Sequence, residues 1–206
     1  MSGYEQFQAA GAGEATLAAL RQATATLHAR IESSTGLGAP FGLAHYGHVV
    51  QAFHAFLRHW EPQIARALPQ HLCAWFAHGR RLPLLERDLA ALGLRPLQAD
   101  LVALPPLETP AQALGSLYVL EGSALGGRVI AADVRRRLDL DAERGAAYFN
   151  GAGSATGARW REFRQHLAGE LDDAPRSHPC AVRGAVDTFE SLMALFQRVL
   201  HERAAA

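Results

Sequence analysis

Three observations predict an all-α fold for this 206-residue chain. Apolar residues recur at three- and four-residue steps, Leu17, Leu20, Ala23, Leu27 and Ile31 forming the first such series. The segment LPPLETPAQ carries a strong helix start: Thr109 as N-cap, Pro110 at the first helical position and Gln112 at the third match a capping box. No stretch alternates apolar and polar residues as a half-buried strand does.

The elements follow in order. Residues 1–13, rich in Gly, Ala and Gln, are expected to form a flexible N-terminus ahead of one helical domain over 14–203. A first amphipathic helix is predicted from Glu14 to about Ser34, ended by the glycine-rich GLGAPFG of residues 36–42. A second runs from about Leu43 to Leu68, with Pro62 expected to kink or divide it. Short helices are predicted around 71–78 and 82–92, separated by HGRR and closed by Gly93. The helix opened at Thr109 extends to about Leu138, where Arg135, Arg136 and Arg137 suit its negative end. FNGAGSATG reads as a loop, Thr156 starts a helix through Glu170, DDAPRSHP is a second loop, and Pro179 opens a last helix to about Arg203. With these seven or eight helices the fold is a single domain.

Composition narrows the function. The chain is 49% hydrophobic and 19% charged, as in a soluble globular protein. Twenty Lys+Arg balance twenty Asp+Glu, which argues against a nucleic-acid partner. The N-terminus has neither the basic nor the apolar region of a signal peptide, and no run approaches the roughly 18 apolar residues of a membrane span. Cys73 and Cys180 stand far apart and fit free thiols in a reducing compartment, so a cytoplasmic location is expected. The chain has no Gly-x-Gly-x-x-Gly or Walker-type loop, hence no nucleotide or flavin site is predicted.

The stretch LYVLEGSALGGRVI, 117–130, conflicts with its own helix. Gly122, Gly126 and Gly127 lie in the interior, where each glycine costs about 0.8–1.0 kcal/mol relative to alanine. Gly122 and Gly126 share a face, with Gly115 and Val119 extending the stripe; Ser123 and Gly127 form the adjacent pair. Such a strip admits either a closely packed helix or a flat ligand lying on the backbone. If the ligand carries a metal, the first helix offers a donor. His28 has Glu32 one turn on and Arg21 two turns back on nearly the same face. A carboxylate at the second ring nitrogen orients a ligating histidine, and a nearby cation can pair with an anionic ligand group. A surface His–Glu pair is the plainer alternative.

TATLHARIE together with LYVLEGSALGG resembles the heme oxygenases, particularly the bacterial kind associated with bacteriophytochromes. The likeness extends through YFNGAGSATGARWREF (148–163) and AVDTFESLMALF near the C-terminus, so it covers most of the chain in the expected order. The resemblance implies oxidative cleavage of heme to biliverdin, iron and carbon monoxide, with heme as both substrate and cofactor and O2 as co-substrate. It implies His28 as the iron ligand, oriented by Glu32, and a distal helix whose Gly122, Ser123 and Gly126 serve catalysis while Gly127 borders the heme. Mammalian-type members carry a distal aspartate where this chain has Ser123. By the same resemblance Arg21 and Arg164 contact the heme propionates, and Tyr118, Phe189 and Met193 line the pocket. Electrons would come from a ferredoxin or flavodoxin with its reductase, and a bacteriophytochrome is a candidate acceptor of the product.

Plainer readings stand beside these. Arg159, Arg161 and Arg164 around Trp160 and Phe163 could be a solvated basic face; Phe189, Met193 and Tyr118 could be ordinary packing residues. His45, His48, His54 and His59 are read as surface or packing residues, and the absence of any Glu-x-x-His disfavours a di-iron bundle. A heme carrier or sensor without turnover, and an all-α enzyme of thiaminase-like type acting on another small molecule, are the rival functions.

Overall fold

The helix predicted from the Thr109 signal starts where the sequence places it. In a computed structural model, which describes residues 3–98, 102–171 and 174–202, the Gln112 amide donates to Thr109 Oγ1 (3.2 Å) and the Thr109 amide donates to Gln112 Oε1 (3.1 Å). Both otherwise unpaired amides are thereby satisfied. The helix ends at Asp139, whose left-handed φ of 54° turns the chain while its amide bonds the Arg135 carbonyl. A short polar side chain tolerates that conformation.

Eight α-helices and no strands occur among the described residues: α1 Gly3–Thr35, α2 Leu43–Ala67, α3 Gln70–His78, α4 Leu82–Ala91, α5 Pro110–Leu138, α6 Ala147–Asn150, α7 Thr156–Leu171 and α8 His178–Glu202. α1 continues N-terminal to Glu14, where the apolar spacing begins; residues 1, 2 and 203 lie outside the described residues, as do 172 and 173 of the DDAPRSHP loop. Pro62 does not divide α2, which runs unbroken through it. The FNGAGSATG segment is less irregular than expected, since α6 and a 3₁₀ turn at Gly153–Ala155 occupy part of it.

α8 is the spine. It packs on α5, α1 and α2, while α7 packs on both α1 and α5. α1 and α5 are thus held by the same two helices and make little contact with each other. The core joins Leu17 and Leu20 of α1, Val49, Phe56, Leu57 and Ile64 of α2, Leu114 and Leu117 of α5, Phe163 and Leu167 of α7, and Leu192 and Phe196 of α8. One buried polar junction fixes the crossing of α2, α5 and α8. The Trp60 indole donates to Ser116 Oγ (2.6 Å), Ser116 bonds Thr188, and Thr188 donates to the Gly184 carbonyl (2.7 Å).

The close α5–α8 approach depends on two glycines. A Cβ on Gly115 would collide with the Ala181 backbone, and one on Gly184 with the Gln112 backbone.

Candidate active site

The glycine stripe of α5 changes character along its length. At Gly115 it is covered by α8; at Gly122 the nearest neighbour of an added Cβ would be the Trp160 ring of α7, at 3.7 Å. At Gly126 an added Cβ would meet nothing within 4 Å. Leu125 and Val129 lie beside these glycines on the same face, 44% and 71% exposed. Gly122, Leu125, Gly126 and Val129 therefore form a bare apolar strip, narrow in side chains and open to a flat apolar ligand.

His28 stands on α1 with its ring edge against Phe189 of α8, centroids 6.1 Å apart. Its Nδ1 faces Glu32 Oε1 at 3.4 Å, and its side chain is 53% exposed. With Nδ1 toward Glu32, Nε2 is the remaining ring nitrogen. At the neighbouring position on α8, Thr188 reaches Ser116 of α5. The same turn of α8 thus touches the His28 side of the fold and the α5 side. Arg21 and Arg164 are exposed, Arg21 two turns before His28 and Arg164 one turn beyond the Trp160 that borders Gly122. Tyr118 is half-buried with its ring 6.0 Å from Trp160, and Phe189 and Met193 are buried. Among the predicted residues the structure thus associates His28 with Glu32 and Phe189, and Gly122 with Tyr118 and Trp160.

On the adjacent side of α5 lies a cavity of about 630 Å³, lined by Ser123, Ala124, Gly127 and Ile130 and closed by parts of α3, α4, α6 and α7. Gly127 abuts it because α6 passes close, the Phe149 carbonyl lying 3.2 Å from where its Cβ would stand. Asp88 of α4 holds α6 there, accepting from the Ala147 amide (2.6 Å) and the Tyr148 amide (2.9 Å). Burial pushes the Asp88 carboxyl above the ordinary carboxylate value, opposed by those two amides and by the charge of Arg87. Burial also pushes the Tyr148 phenol up to about 12, with Arg81 opposing, so the phenol keeps its proton and remains a donor.

A polar cluster behind Ser123 is the feature that sequence reasoning missed. Glu121 is buried and lines the same cavity as Ser123. Arg81 Nη2 donates to Glu121 Oε2 (2.9 Å), and Arg159 Nη2 donates to Oε1 (3.0 Å). Arg159 is consequently no part of a solvated face. Its guanidinium lies over the Trp75 ring at 4.1 Å and occupies the space a side chain on Gly79 would take. Arg81 is anchored from below, because buried Glu61 accepts from the Arg81 and Leu82 amides, both at 2.8 Å, and caps α4. One signal for Glu121 was available: it continues the Leu114–Leu117 apolar phase at the next turn, where an acid must be paired. Arg81 in HGRR carries no comparable signal.

A family model of heme oxygenases matches residues 14–198. The chain belongs to the heme oxygenase family. A heme oxygenase of Xanthomonas campestris pv. campestris is 34% identical over 144 residues, 70% of this chain and 84% of that protein. The NO- and CO-bound heme oxygenase from Neisseria meningitidis has the same fold, with a TM-score of 0.70 over 88% of this chain and 90% of that one, at 22% identity. As a heme oxygenase the chain is an enzyme that degrades heme to biliverdin, and both relatives are bacterial. Among the described residues no helix is long and apolar enough to cross a membrane.

Proposed function

We propose that this heme oxygenase binds heme between α1 and the Gly122–Val129 strip of α5 and cleaves it to biliverdin, iron and carbon monoxide with O2. The observation that carries this placement is the bare strip itself: Gly126 faces open space between the exposed Leu125 and Val129, an arrangement that costs helix stability and suits a flat apolar face. Heme, as substrate and cofactor, supplies the iron at which O2 is activated.

In this reading His28 presents Nε2 to the iron, and Glu32 at Nδ1 holds the neutral imidazole in orientation. Gly122 and Gly126 let the α5 backbone approach the ring, while Gly127 lets α6 close the neighbouring cavity. Ser123 brings a hydroxyl to the border between strip and cavity, where it holds a proton on Oγ. Arg21 and Arg164, at the rim, pair with the propionates and set the rotation of the ring. Tyr118 and Phe189 bound the site from α5 and α8. A ferredoxin or flavodoxin with its reductase supplies electrons, and a bacteriophytochrome is a fitting acceptor of biliverdin. The two free cysteines are consistent with a cytoplasmic enzyme.

Hemin titration followed by reduction in air tests the reading. Uptake of hemin with loss of the Soret band and growth of biliverdin absorption is the expected result. A stable complex that never turns over would make the chain a carrier or sensor, and failure to take up hemin would favour another small-molecule substrate.

A further inference from the structure

The Ser123 hydroxyl donates to the carbonyl of Leu120 at 2.9 Å. That carbonyl is already in demand. Arg81 Nη1 donates to it at 2.6 Å, shorter than the serine bond and charge-assisted. α5 is helical throughout this stretch, and a helical carbonyl also accepts the amide four residues on. Three donors therefore converge on an oxygen with two lone pairs. The guanidinium cannot easily leave: its other arm is held by buried Glu121 at 2.9 Å, and its own backbone amide is held by Glu61 at 2.8 Å. The serine hydroxyl has no such tether. It turns about a single bond, and of the three it is the surplus donor.

We propose that Arg81 is a positioning residue for Ser123: by saturating the Leu120 carbonyl it frees the serine proton to be donated to a ligand on the heme face of α5. This rests on the heme placement proposed above. It assigns a purpose to the buried cluster, in which Glu61 and Glu121 hold Arg81 and Arg81 releases Ser123. A serine on a helix ordinarily bonds back to a carbonyl one turn earlier and is lost as a donor. Here that back-bond is in competition, so the hydroxyl can leave it without stranding the carbonyl.

The test is equilibrium binding of azide, a small anion able to accept a hydrogen bond, to the ferric heme complex of four proteins: wild type, Ser123→Ala, Arg81→Met and the double variant. Ser123→Ala is expected to weaken azide about two- to tenfold, the loss of one ordinary hydrogen bond. Arg81→Met is expected to weaken it by a similar factor while Ser123 is present, because the hydroxyl then stays on the vacated carbonyl, and to add nothing in the Ser123→Ala background. Arg81→Lys, which keeps a charge beside Glu121 but not the two-armed grip, should show the same dependence on Ser123 with a smaller effect, and it carries the test if Arg81→Met does not fold. If Ser123→Ala weakens azide while the Arg81 variants have no effect, or an equal effect in both serine and alanine backgrounds, the positioning role is overturned and the heme placement stands. If Ser123→Ala leaves azide binding unchanged, the placement of Ser123 on the heme face is wrong and the role of Arg81 falls with it.

Discussion

Gly115 of α5 lies so close to Ala181 of α8 that a Cβ on the glycine would overlap the alanine carbonyl. Backbone cannot yield as a side-chain tip can, so Gly115→Ala should destabilise the apo protein by about 1–3 kcal/mol through overpacking. Gly126 sits on the same stripe with open space beside it. Gly126→Ala should therefore stabilise the apo protein by up to about 1 kcal/mol, the difference in helix propensity. Gly126→Leu should remain folded yet take up hemin weakly and oxidise it slowly or at the wrong position. Thermal unfolding of the apo variants, with hemin titration on the same preparations, checks all three. A strongly destabilised Gly126→Leu whose folded fraction turns over normally would contradict the assignment.

His28→Ala should abolish stable turnover. His28 is exposed, and its Glu32 contact is a surface pair that contributes little to stability, so the apo fold should be unaffected within about 0.5 kcal/mol. Absorption spectra of the hemin complex, with and without added imidazole, check this. Partial recovery with imidazole is expected, and an unaltered Soret spectrum with normal unaided turnover would exclude His28 as the ligand.

Arg21→Glu or Arg164→Glu should weaken hemin binding or change the biliverdin isomer ratio. Each side chain is exposed, so neither change should lower the stability of the apo protein. A well-desolvated charge-assisted contact is worth about 1.5–3 kcal/mol, and these rim positions should fall at or below the lower end. Hemin affinity and product chromatography decide it: both unchanged in both variants would remove these arginines from the site.

His54 should make stability fall on mild acidification. It is buried in α2 with Nδ1 unpartnered. Burial, then the charge of Arg58, hold its pKa below 6.5, with Glu86 opposing. The unfolded chain therefore binds the proton first. The contribution of His54 is complete above pH 6.5 and is lost as pH falls from 6.5 through the lower folded value. Urea unfolding of wild type and His54→Gln across this range should show the stability difference shrinking, or reversing, as pH falls; parallel curves would contradict it.

Much of the architecture was legible from local signals. The Thr109–Gln112 capping box, the apolar spacing of α1 and the glycine-rich stop after it are governed by neighbours in sequence, and the structure reproduces them. Pro62 was harder to read because its effect depends on tertiary support: buried Trp60, Glu61 and Ile64 hold α2 together around it. His28 and the 122–127 glycines were visible as a pattern, because both depend on residue type at helical spacing.

What the chain could not reveal locally was which part of the glycine stripe is covered. Gly115, Gly122 and Gly126 are equivalent by helical phase; only the path of α8 makes the first a packing contact and leaves the last open. The same holds for the charges. Arg81, Glu121 and Arg159 come from the turn before α4, from α5 and from α7, separated by about 40 residues at each step. A buried carboxylate is tolerable only when cations reach it, and which cations reach Glu121 depends on how distant helices pack. Sequence by itself determined most of the helices, the Thr109 cap of α5 and the patterns on the two helices proposed to carry the site. Tertiary structure alone decided which glycines touch backbone, which arginines are buried, and that the Leu120 carbonyl is shared between Arg81 and Ser123. Helical phase and capping act over a few residues, whereas burial and charge pairing depend on three-dimensional neighbours.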